Sequence, residues 1–392
     1  MSTDKFKDKK FIDINGLTHF YDNLKETELS KYILNEDIIL ATDDDIINIY
    51  YANEYLTFEV LNDSSFSFSN DGIQYSIDKT NWNTLSANQS TPVFNSGTKV
   101  YWKGDLEPNS SNGIGTFSST GNFNVYGNPK KLLKDNELVN YSFYKLFYNC
   151  TNLTNASELI LDATTLADYC YYNMFYSCTS LTEAPELPAT TLANYCYQYM
   201  FKGCTSLTEA PELPATTLVS FCYSYMFEGC TGLTQAPELP ATSLANDCYG
   251  MMFRNCTSLT QTPELPATTL VSGCYSYMFQ GCTSLTEAPE LPATTLAGSC
   301  YANMFNGCTS LTQAPELPAT KILVTSYSSM FNGCSKLNKV ICYATTGIGG
   351  YNTRSWLSGV SDTGDFYKVK DVTYPSGVSG IPSSWTVHNI EE

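Results

Sequence analysis

The chain has few of the residues on which most enzymes depend for acid-base chemistry. Only two histidines occur, His19 and His388, and they stand near opposite ends of the 392 residues. A Ser-His-Asp or Cys-His arrangement is therefore not expected. The sequence also lacks a glycine-rich phosphate-binding loop of either common type. We predict from these absences that the protein is not an enzyme and that it holds no cofactor.

Positive charge and long apolar segments are also scarce. The chain carries 21 Lys and Arg residues against 39 Asp and Glu, a formal net charge of -18. Nucleic acids and anionic membranes need clustered Lys and Arg, so neither is predicted as a partner, whereas proteins, neutral glycans and cations stay open. No stretch approaches the roughly 18 apolar residues that span a bilayer, so no membrane insertion is expected. Residues 1–16 lack the apolar region of a secretory signal, so we expect export by another route unless a signal has been removed.

The chain is rich instead in an internal repeat of 26 residues. One unit reads CYxYMFxGCTSLTEAPELPATTLAxx, and two series of cysteines mark it. The first series is Cys178, Cys204, Cys230, Cys256, Cys282, Cys308 and Cys334, and the second is Cys170, Cys196, Cys222, Cys248, Cys274 and Cys300. A unit of this size cannot bury its apolar face alone, so neighbouring units must stack on a shared core.

Each repeat is predicted to consist of one helix and one short strand. The apolar positions follow an i, i+4, i+5, i+8, i+9 pattern, which indicates a helix with one buried face. In one unit those positions are Leu192, Cys196, Tyr197, Met200, Phe201 and Cys204. Gly203 is predicted to end the helix, and Pro211 and Pro214 limit the extended segment that follows. The predicted fold class is an α/β leucine-rich-repeat-type solenoid.

The segments that flank the repeats have other patterns. Short alternating runs between residues 55 and 126 predict an all-β sandwich before the solenoid. Apolar residues at helical spacing between residues 17 and 29 predict an amphipathic N-terminal helix before the sandwich. The predicted domains are residues 1–45 for the N-terminal helix and hinge, 46–135 for the sandwich, 136–342 for the solenoid and 343–392 for a C-terminal cap.

The repeat motifs carry a resemblance to a known family. Residues 178–330, with their MFxGCTSL and LPATTL elements, resemble the BspA-like leucine-rich repeats of bacterial surface proteins. The segment GIGTFSSTGNFNVYGNP, residues 113–129, is similar to the domain that precedes such repeats in proteins of gut Bacteroidales and their phages. The resemblance implies a repeat protein that presents a recognition surface.

A second resemblance concerns the N-terminal residues. The segment FIDINGLTHFYDNLK is similar to a short motif that opens many phage structural and fibre-like proteins, and Phe11, Asp13, Gly16, Leu17, Phe20 and Lys25 match it. The motif implies attachment to a particle or the start of a trimer. The candidate residues for attachment or oligomerisation are therefore Phe11, Asp13, Gly16, Leu17, Phe20, Tyr21 and Leu24.

Two functions follow from these resemblances. The preferred prediction is a phage virion fibre or decoration protein, a homo-oligomer such as a trimer. It would bind other virion proteins through its N-terminus and a bacterial surface glycan or protein through the solenoid. The alternative is an adhesin on the bacterial cell surface that binds host protein or glycan through the same repeats.

The recurrent cysteines and glutamates raise the question of bonds and metals. The short cysteine spacing of eight residues matches neither a zinc site nor a disulfide along one helix, so buried free thiols are favoured over both. A column of glutamates recurs once per repeat: Glu186, Glu212, Glu238, Glu264, Glu290 and Glu316. We expect these carboxylates to accept hydrogen bonds from turn amides, with full solvation and shared Ca²⁺ as the alternatives. No metal site is predicted.

Positions that vary between near-identical repeats are not needed for the core, so they are candidates for the exposed surface. They occur after Met-Phe and before the first cysteine of each unit. The candidate partner-binding residues are Tyr169, Tyr176, Tyr195, Lys202, Phe221, Glu228, Asp247, Arg254, Gln280 and Asn306. Neutral drift on a solvated surface would produce the same variation. The invariant tyrosines Tyr171, Tyr197, Tyr223, Tyr249, Tyr275, Tyr301 and Tyr327 are predicted to be core residues instead.

Overall fold

A computed structural model describes residues 10–12, 18–20 and 55–390 of the chain. Thirteen β-strands occur in this part. They are β1 Lys10–Ile12, β2 Thr18–Phe20, β3 Leu56–Val60, β4 Phe66–Phe68, β5 Ile73–Ser76, β6 Asn83–Leu85, β7 Lys99–Gly104, β8 Phe117–Ser119, β9 Phe123–Tyr126, β10 Leu153–Asn155, β11 Lys339–Cys342, β12 Asp365–Lys368 and β13 Thr386–Asn389. The helical elements of the described part are two short 3₁₀ segments, Pro129–Leu132 and Lys134–Asn136.

The N-terminal helix predicted from residue 17 is wrong where the structure describes that segment. Residues 18–20 form strand β2, which pairs antiparallel with β1 in the register Phe11 with His19. Aromatic and β-branched residues such as Thr18 and Phe20 favour extended backbone over helix. Among the predicted attachment residues, Phe11 lies on β1 and Phe20 on β2. The remaining ones, Asp13, Gly16, Leu17, Tyr21 and Leu24, lie outside the described residues.

Two sheets face each other in the segment that precedes the repeats. The larger sheet has the strand order β10-β9-β3-β7-β5-β6, and β4 and β8 form a two-stranded sheet over it. Phe58 of β3 lies between them, with its ring centroid 5.2 Å from that of Phe66 and 4.9 Å from that of Phe117. Trp102 of β7 is fully buried beside these rings. An aromatic core therefore holds the two sheets together.

The helix predicted within each repeat is also wrong, because the backbone makes a run of tight turns. Every fourth residue of the run has a positive φ, as at Tyr195 (60°), Tyr199 (59°) and Gly203 (76°). A helix cannot contain such residues, since every residue of a right-handed helix has a negative φ. No α-helix occurs in the described part of the chain, and no helix there is long and apolar enough to cross a membrane.

Backbone hydrogen bonds explain how these turns stack. The amides of Met200 and Lys202 donate within their own turn, to the carbonyls of Tyr197 and Tyr199 three residues earlier. The alternate amides donate to the next repeat, as Phe201 does to the Met226 carbonyl at 2.9 Å. Amides therefore alternate between closing a turn and joining two repeats. This arrangement satisfies the backbone donors without a helix or a continuous strand.

The turns have a four-residue period in which two side chains point inward and two point outward. Tyr197, Met200, Phe201 and Cys204 are buried, whereas Tyr199 and Lys202 are half-exposed. Equivalent inward residues stack on one another in columns. The rings of Phe201 and Phe227 are 5.6 Å apart with an interplanar angle of 3°. The tyrosine column from Tyr171 to Tyr327 is buried in the same way, which confirms its predicted place in the core.

The repeat stack is continuous with the sheets at both of its ends. Strand β10, which lies beyond the predicted boundary at residue 135, pairs in parallel with β9 of the large sheet. At the other end β11 pairs in parallel with β12, and β12 with β13, to form a three-stranded sheet. Trp356 stacks on Tyr327 at 6.3 Å and Tyr374 stacks on Trp356 at 6.4 Å, so the aromatic column continues beyond the last repeat. The described residues from 56 to 385 share one apolar core.

Candidate binding surface

The outward positions of the stacked turns form a surface that we call the turn face. In one repeat it consists of Tyr195, Tyr199 and Lys202 with their neighbours, and it continues in the residues 26 positions before and after them. The core fixes the backbone of every repeat in the same way, so side chains at equivalent positions line up in columns about one strand spacing apart, roughly 4.8 Å. The turn face therefore displays whatever residues the sequence places at these positions.

The N-terminal half of the turn face is covered by aromatic side chains, which we call the aromatic patch. Its members are Tyr141, Tyr144, Tyr148, Tyr169, Tyr172, Tyr176, Tyr195, Tyr199, Phe221 and Tyr225, all of them partly exposed. One column stacks in order along the repeats. Its ring centroids are 4.8 Å apart from Tyr141 to Tyr169, 4.6 Å from Tyr169 to Tyr195 and 4.9 Å from Tyr195 to Phe221, with interplanar angles of 6–9°.

Stacking determines which part of each ring a partner could contact. Parallel rings less than 5 Å apart cover each other's faces, so the edges and the tyrosine hydroxyls are left toward solvent. The edge of an aromatic ring carries partial positive charge and its face partial negative charge. Burial raises the pKa of Tyr172 to about 12, so its hydroxyl stays protonated and able to donate. The column from Tyr141 to Phe221 therefore offers a row of positively polarised ring edges to a partner.

Two lysines lie within the aromatic patch. The Lys202 ammonium is 5.2 Å from the ring centroid of Tyr199 and 5.5 Å from that of Tyr225. It also forms an ion pair with Glu228, at 2.8 Å from Nζ to Oε2. Lys145 is 4.9 Å from the ring centroid of Tyr144. The Lys202 charge is balanced by Glu228, whereas Lys145 is held by tyrosine rings.

The C-terminal half of the turn face has mostly small and polar residues at the same positions, with Met251 and Tyr277 as larger exceptions. The column that begins with Tyr141 continues after Phe221 as Asp247, Gly273, Ser299 and Thr325. Between the halves, the half-exposed Arg254 approaches Glu228 at 3.6 Å. Of the predicted candidates, Tyr169, Tyr176, Tyr195, Lys202 and Phe221 fall in the aromatic patch, Arg254 lies at its border, and Asp247, Gln280 and Asn306 fall in the polar half. The prediction that Glu228 is exposed is wrong, because its side chain is buried where it pairs with Lys202 and Arg254.

Sequence reasoning missed part of the patch. Tyr141, Tyr144 and Tyr148 belong to a first turn run that lies 28 residues, rather than 26, before the next one. Tyr172 was missed because its position holds Gln198 and Ser224 in the following repeats, which are nearly buried there. Aligning the first run with the others on its Phe143, Leu146 and Phe147 core residues would have revealed these tyrosines.

The fifteen cysteines are free and buried. One thiol per repeat donates to a backbone carbonyl of the preceding repeat, as Cys204 Sγ does to Phe175 O at 3.1 Å. Burial raises the pKa of Cys170 and Cys300 to about 12. A neutral buried thiol is a poor nucleophile and a poor metal ligand. The thiols therefore act as small core residues.

The glutamate column lies on the extended segments, away from the turn face. All six carboxylate residues are exposed. The predicted hydrogen bonds from turn amides to these carboxylates do not form within the described part of the chain. No group of three or more His, Cys, Asp or Glu side chains there is arranged to hold a metal ion. The exposed carboxylates are therefore accessible to solvent, and shared Ca²⁺ stays a prediction.

Comparison with known families adds one finding. A family model described as a BspA type leucine rich repeat region matches in six copies, over residues 143–260, 169–288 and 251–352. These ranges overlap and together run from residue 143 to residue 352, which is 210 of the 392 residues and more than half of the chain. No curated protein and no solved structure matches the chain.

Proposed function

The chain belongs to the BspA-type leucine-rich repeat family, and on that premise we propose that it is a binding protein of the cell-surface adhesin type. The stacked repeats form a rigid scaffold, and the aromatic patch is the contact surface. One observation carries the proposal: aromatic residues occupy equivalent outward positions in four consecutive turn runs, from Tyr141 to Phe221. A stack can form without them, since Asp247 and Gly273 fill the same column further along.

The chemistry of the patch favours a protein as the partner. Tyrosine supplies a large, rigid and amphipathic contact area at low entropic cost, which is why it is enriched in binding surfaces. Sugars stack on exposed ring faces, but the faces of Tyr169 and Tyr195 are covered by their neighbours. Ring edges and hydroxyls instead suit carbonyl oxygens and the faces of a partner's aromatic residues. Many modest contacts of this kind add together along the repeats.

A cell-binding experiment tests this function. Fluorescently labelled protein would be applied to a panel of bacterial and epithelial cells, before and after the cells are treated with protease or with periodate. We expect saturable binding to at least one cell type, abolished by protease and kept after periodate, which destroys sugars. Binding lost only after periodate would contradict the protein partner, and no saturable binding anywhere in the panel would contradict the adhesin.

The phage virion prediction rests on residues that the family match does not reach. The match begins at residue 143, whereas the motif that implied attachment and trimerisation runs from Phe11 to Lys25. Attachment to a particle, the trimer and the virion location therefore stay predictions. Light scattering on the full chain and on a version that starts at Tyr51 tests them, since a trimer that becomes a monomer on truncation would support an N-terminal assembly element.

A further inference from the structure

The outer face of the six-stranded sheet carries a second cluster of aromatic and basic side chains, which we call the sheet-face cluster. It is formed by Tyr55, Trp82, Lys99, Tyr101, Lys103 and Tyr126. Lys99, Tyr101 and Lys103 alternate along β7 and so project from one face, since successive side chains of a strand point to opposite sides. The residues between them, Val100 and Trp102, are buried in the core.

Rings, rather than carboxylates, position the lysines of this cluster. The Lys103 ammonium is 4.1 Å from the Trp82 ring centroid, and Tyr55 packs edge-on against the same ring at 4.9 Å. The Lys99 ammonium is 5.4 Å from the ring centroid of Tyr126. Neither lysine takes part in an ion pair within the described part of the chain.

This way of holding a lysine leaves its charge available. A carboxylate neutralises the ammonium that it binds, as Asp162 does for Lys130 at 2.5 Å. An aromatic ring attracts a cation through its quadrupole but has no net charge to cancel. The ammonium groups of Lys99 and Lys103 are therefore fixed in position and still able to bind an anion. Among the outward positions of β3, β5, β7 and β9, one residue carries a carboxylate, Glu59. It lies on β3 directly opposite Lys99 of β7.

The spacing of the two lysines suggests an extended ligand. They lie four residues apart on β7, which corresponds to roughly 13 Å along the strand. Tyr101 lies between them and is half-exposed, and a third ammonium, that of Lys79, is 4.6 Å from its ring centroid. Positive groups and aromatic rings thus alternate along the strand. A linear molecule with separated negative groups and apolar surface between them matches this pattern.

We propose that the sheet-face cluster binds an acidic polysaccharide, a chain of sugar rings that carries carboxylate or sulfate groups. Its anionic groups pair with Lys99 and Lys103, and sugar rings lie against Tyr101, Trp82 and Tyr126. The rings of this cluster are not stacked face to face in a column, unlike those of the aromatic patch. This site is separate from the turn face and does not depend on the adhesin proposal.

A binding measurement with defined polymers tests the proposal. The probes are polygalacturonate and chondroitin sulfate, with neutral dextran and poly-glutamate as comparison polymers. The full chain is compared with the variant Lys99→Gln/Lys103→Gln and with the control Lys336→Gln/Lys370→Gln, which changes the net charge equally at exposed positions of the C-terminal region. We expect the full chain and the control to bind an acidic polysaccharide, and the Lys99/Lys103 variant to bind at least about tenfold more weakly.

Several results would overturn the proposal. One is equal binding by the Lys99/Lys103 variant and the control, which would leave only a general effect of charge. The proposal would also be wrong if neutral dextran bound as well as the acidic polysaccharides, or if neither acidic polysaccharide bound. Stronger binding of poly-glutamate would indicate an acidic polypeptide as the ligand instead. The variant Trp82→Ala gives an independent check, because it is expected to weaken binding although it removes no charge. Unchanged melting temperatures of all variants verify that the fold is intact.

Discussion

The two halves of the turn face have the same backbone and core but different surfaces. Tyr195 and Ser299 both lie at left-handed outward positions, with φ values of 60° and 56°, and both follow the same pattern of hydrogen bonds to the next repeat. The first belongs to a stacked aromatic column and the second to a polar one. Folding therefore does not require aromatic residues at this position, which agrees with the binding role proposed for those in the first half.

The two halves of the turn face can be compared only if the repeats beneath them have the same buried core. Raising the pH is expected to have the largest effect on that core, because it contains buried thiols in both halves. Burial raises the pKa of thiols in both halves, to about 12 for Cys170 and Cys300, against about 8.5 in an unfolded chain. Below a pH of about 8.5 the thiols are protonated in both the folded and the unfolded chain, so they do not change the free energy of unfolding. Above that pH they ionise only in the unfolded chain, and the folded protein therefore loses stability as the pH rises toward the folded pKa. One pH unit above 8.5, each buried thiol is expected to lower the free energy of unfolding by about 1.4 kcal/mol.

We therefore expect the melting temperature to fall steeply between pH 8.5 and 10 in a single transition for the whole stack. Thermal denaturation followed by circular dichroism measures it. Cys248→Ala/Cys274→Ala/Cys300→Ala should make the fall less steep, because fewer thiols ionise on unfolding. A melting temperature that is constant up to pH 10 would show that the thiols are not buried as described.

Truncation of one core ring in each half tests whether the halves are equally packed. Phe201 and Phe279 are both fully buried and stack on equivalent rings. Phe201→Ala and Phe279→Ala are each expected to destabilise the protein by about 3–5 kcal/mol, because each removes a ring and leaves a cavity. Urea denaturation of the two variants measures the losses. A loss of less than 1 kcal/mol in only one of them would mean that the halves have different cores.

The left-handed positions give a smaller test of the shared backbone. Gly229 and Gly307 have φ values of 73° and 75°, and a Cβ at either site would meet no atom closer than 3.8 Å. Gly229→Ala and Gly307→Ala are thus each expected to cost about 1 kcal/mol through backbone strain alone. Asn255 has a φ of 59° at the equivalent position of another repeat, so Asn255→Gly is expected to raise the free energy of unfolding by up to about 1 kcal/mol. Urea midpoints measure all three, and a stabilising effect of either alanine would contradict the turn geometry.

The sequence was sufficient to predict which residues are buried but not the backbone that buries them. The repeat period identified the columns of Tyr197, Phe201 and Cys204, because inward residues must be nearly identical in every unit. The same spacing suggested a helix, since apolar residues at i, i+4 and i+8 occur in both structures. A helix turns by 400° in four residues and drifts by 40° each time, so a strict period of four is a signal for stacked turns. Recurrent Gly203, Gly229 and Gly281 at the fourth position support it.

The binding surface could be predicted only in part, because it depends on which outward residues come together. Variation between repeats identified Tyr169, Tyr195 and Phe221 without showing that their rings stack. The contact of Lys202 with tyrosines of three repeats also depends on the turn geometry, since those residues are 3 to 26 positions away in the sequence. Side-chain proximity across repeats is a property of the stack, not of the local sequence.

The most direct test of the account compares surface substitutions in the two halves. One variant replaces four tyrosines of the aromatic patch by Ser: Tyr144, Tyr172, Tyr199 and Tyr225. The other replaces four residues of the C-terminal half by Ser: Met251, Tyr277, Asn303 and Asn306. The affinity of each variant for the protease-sensitive partner on cells is measured. We expect at least about 30-fold weaker binding by the first variant, since clustered aromatic contacts contribute about 2 kcal/mol or more, and unchanged binding by the second. Equal affinities of the two variants would contradict the claim that the aromatic patch is the binding surface.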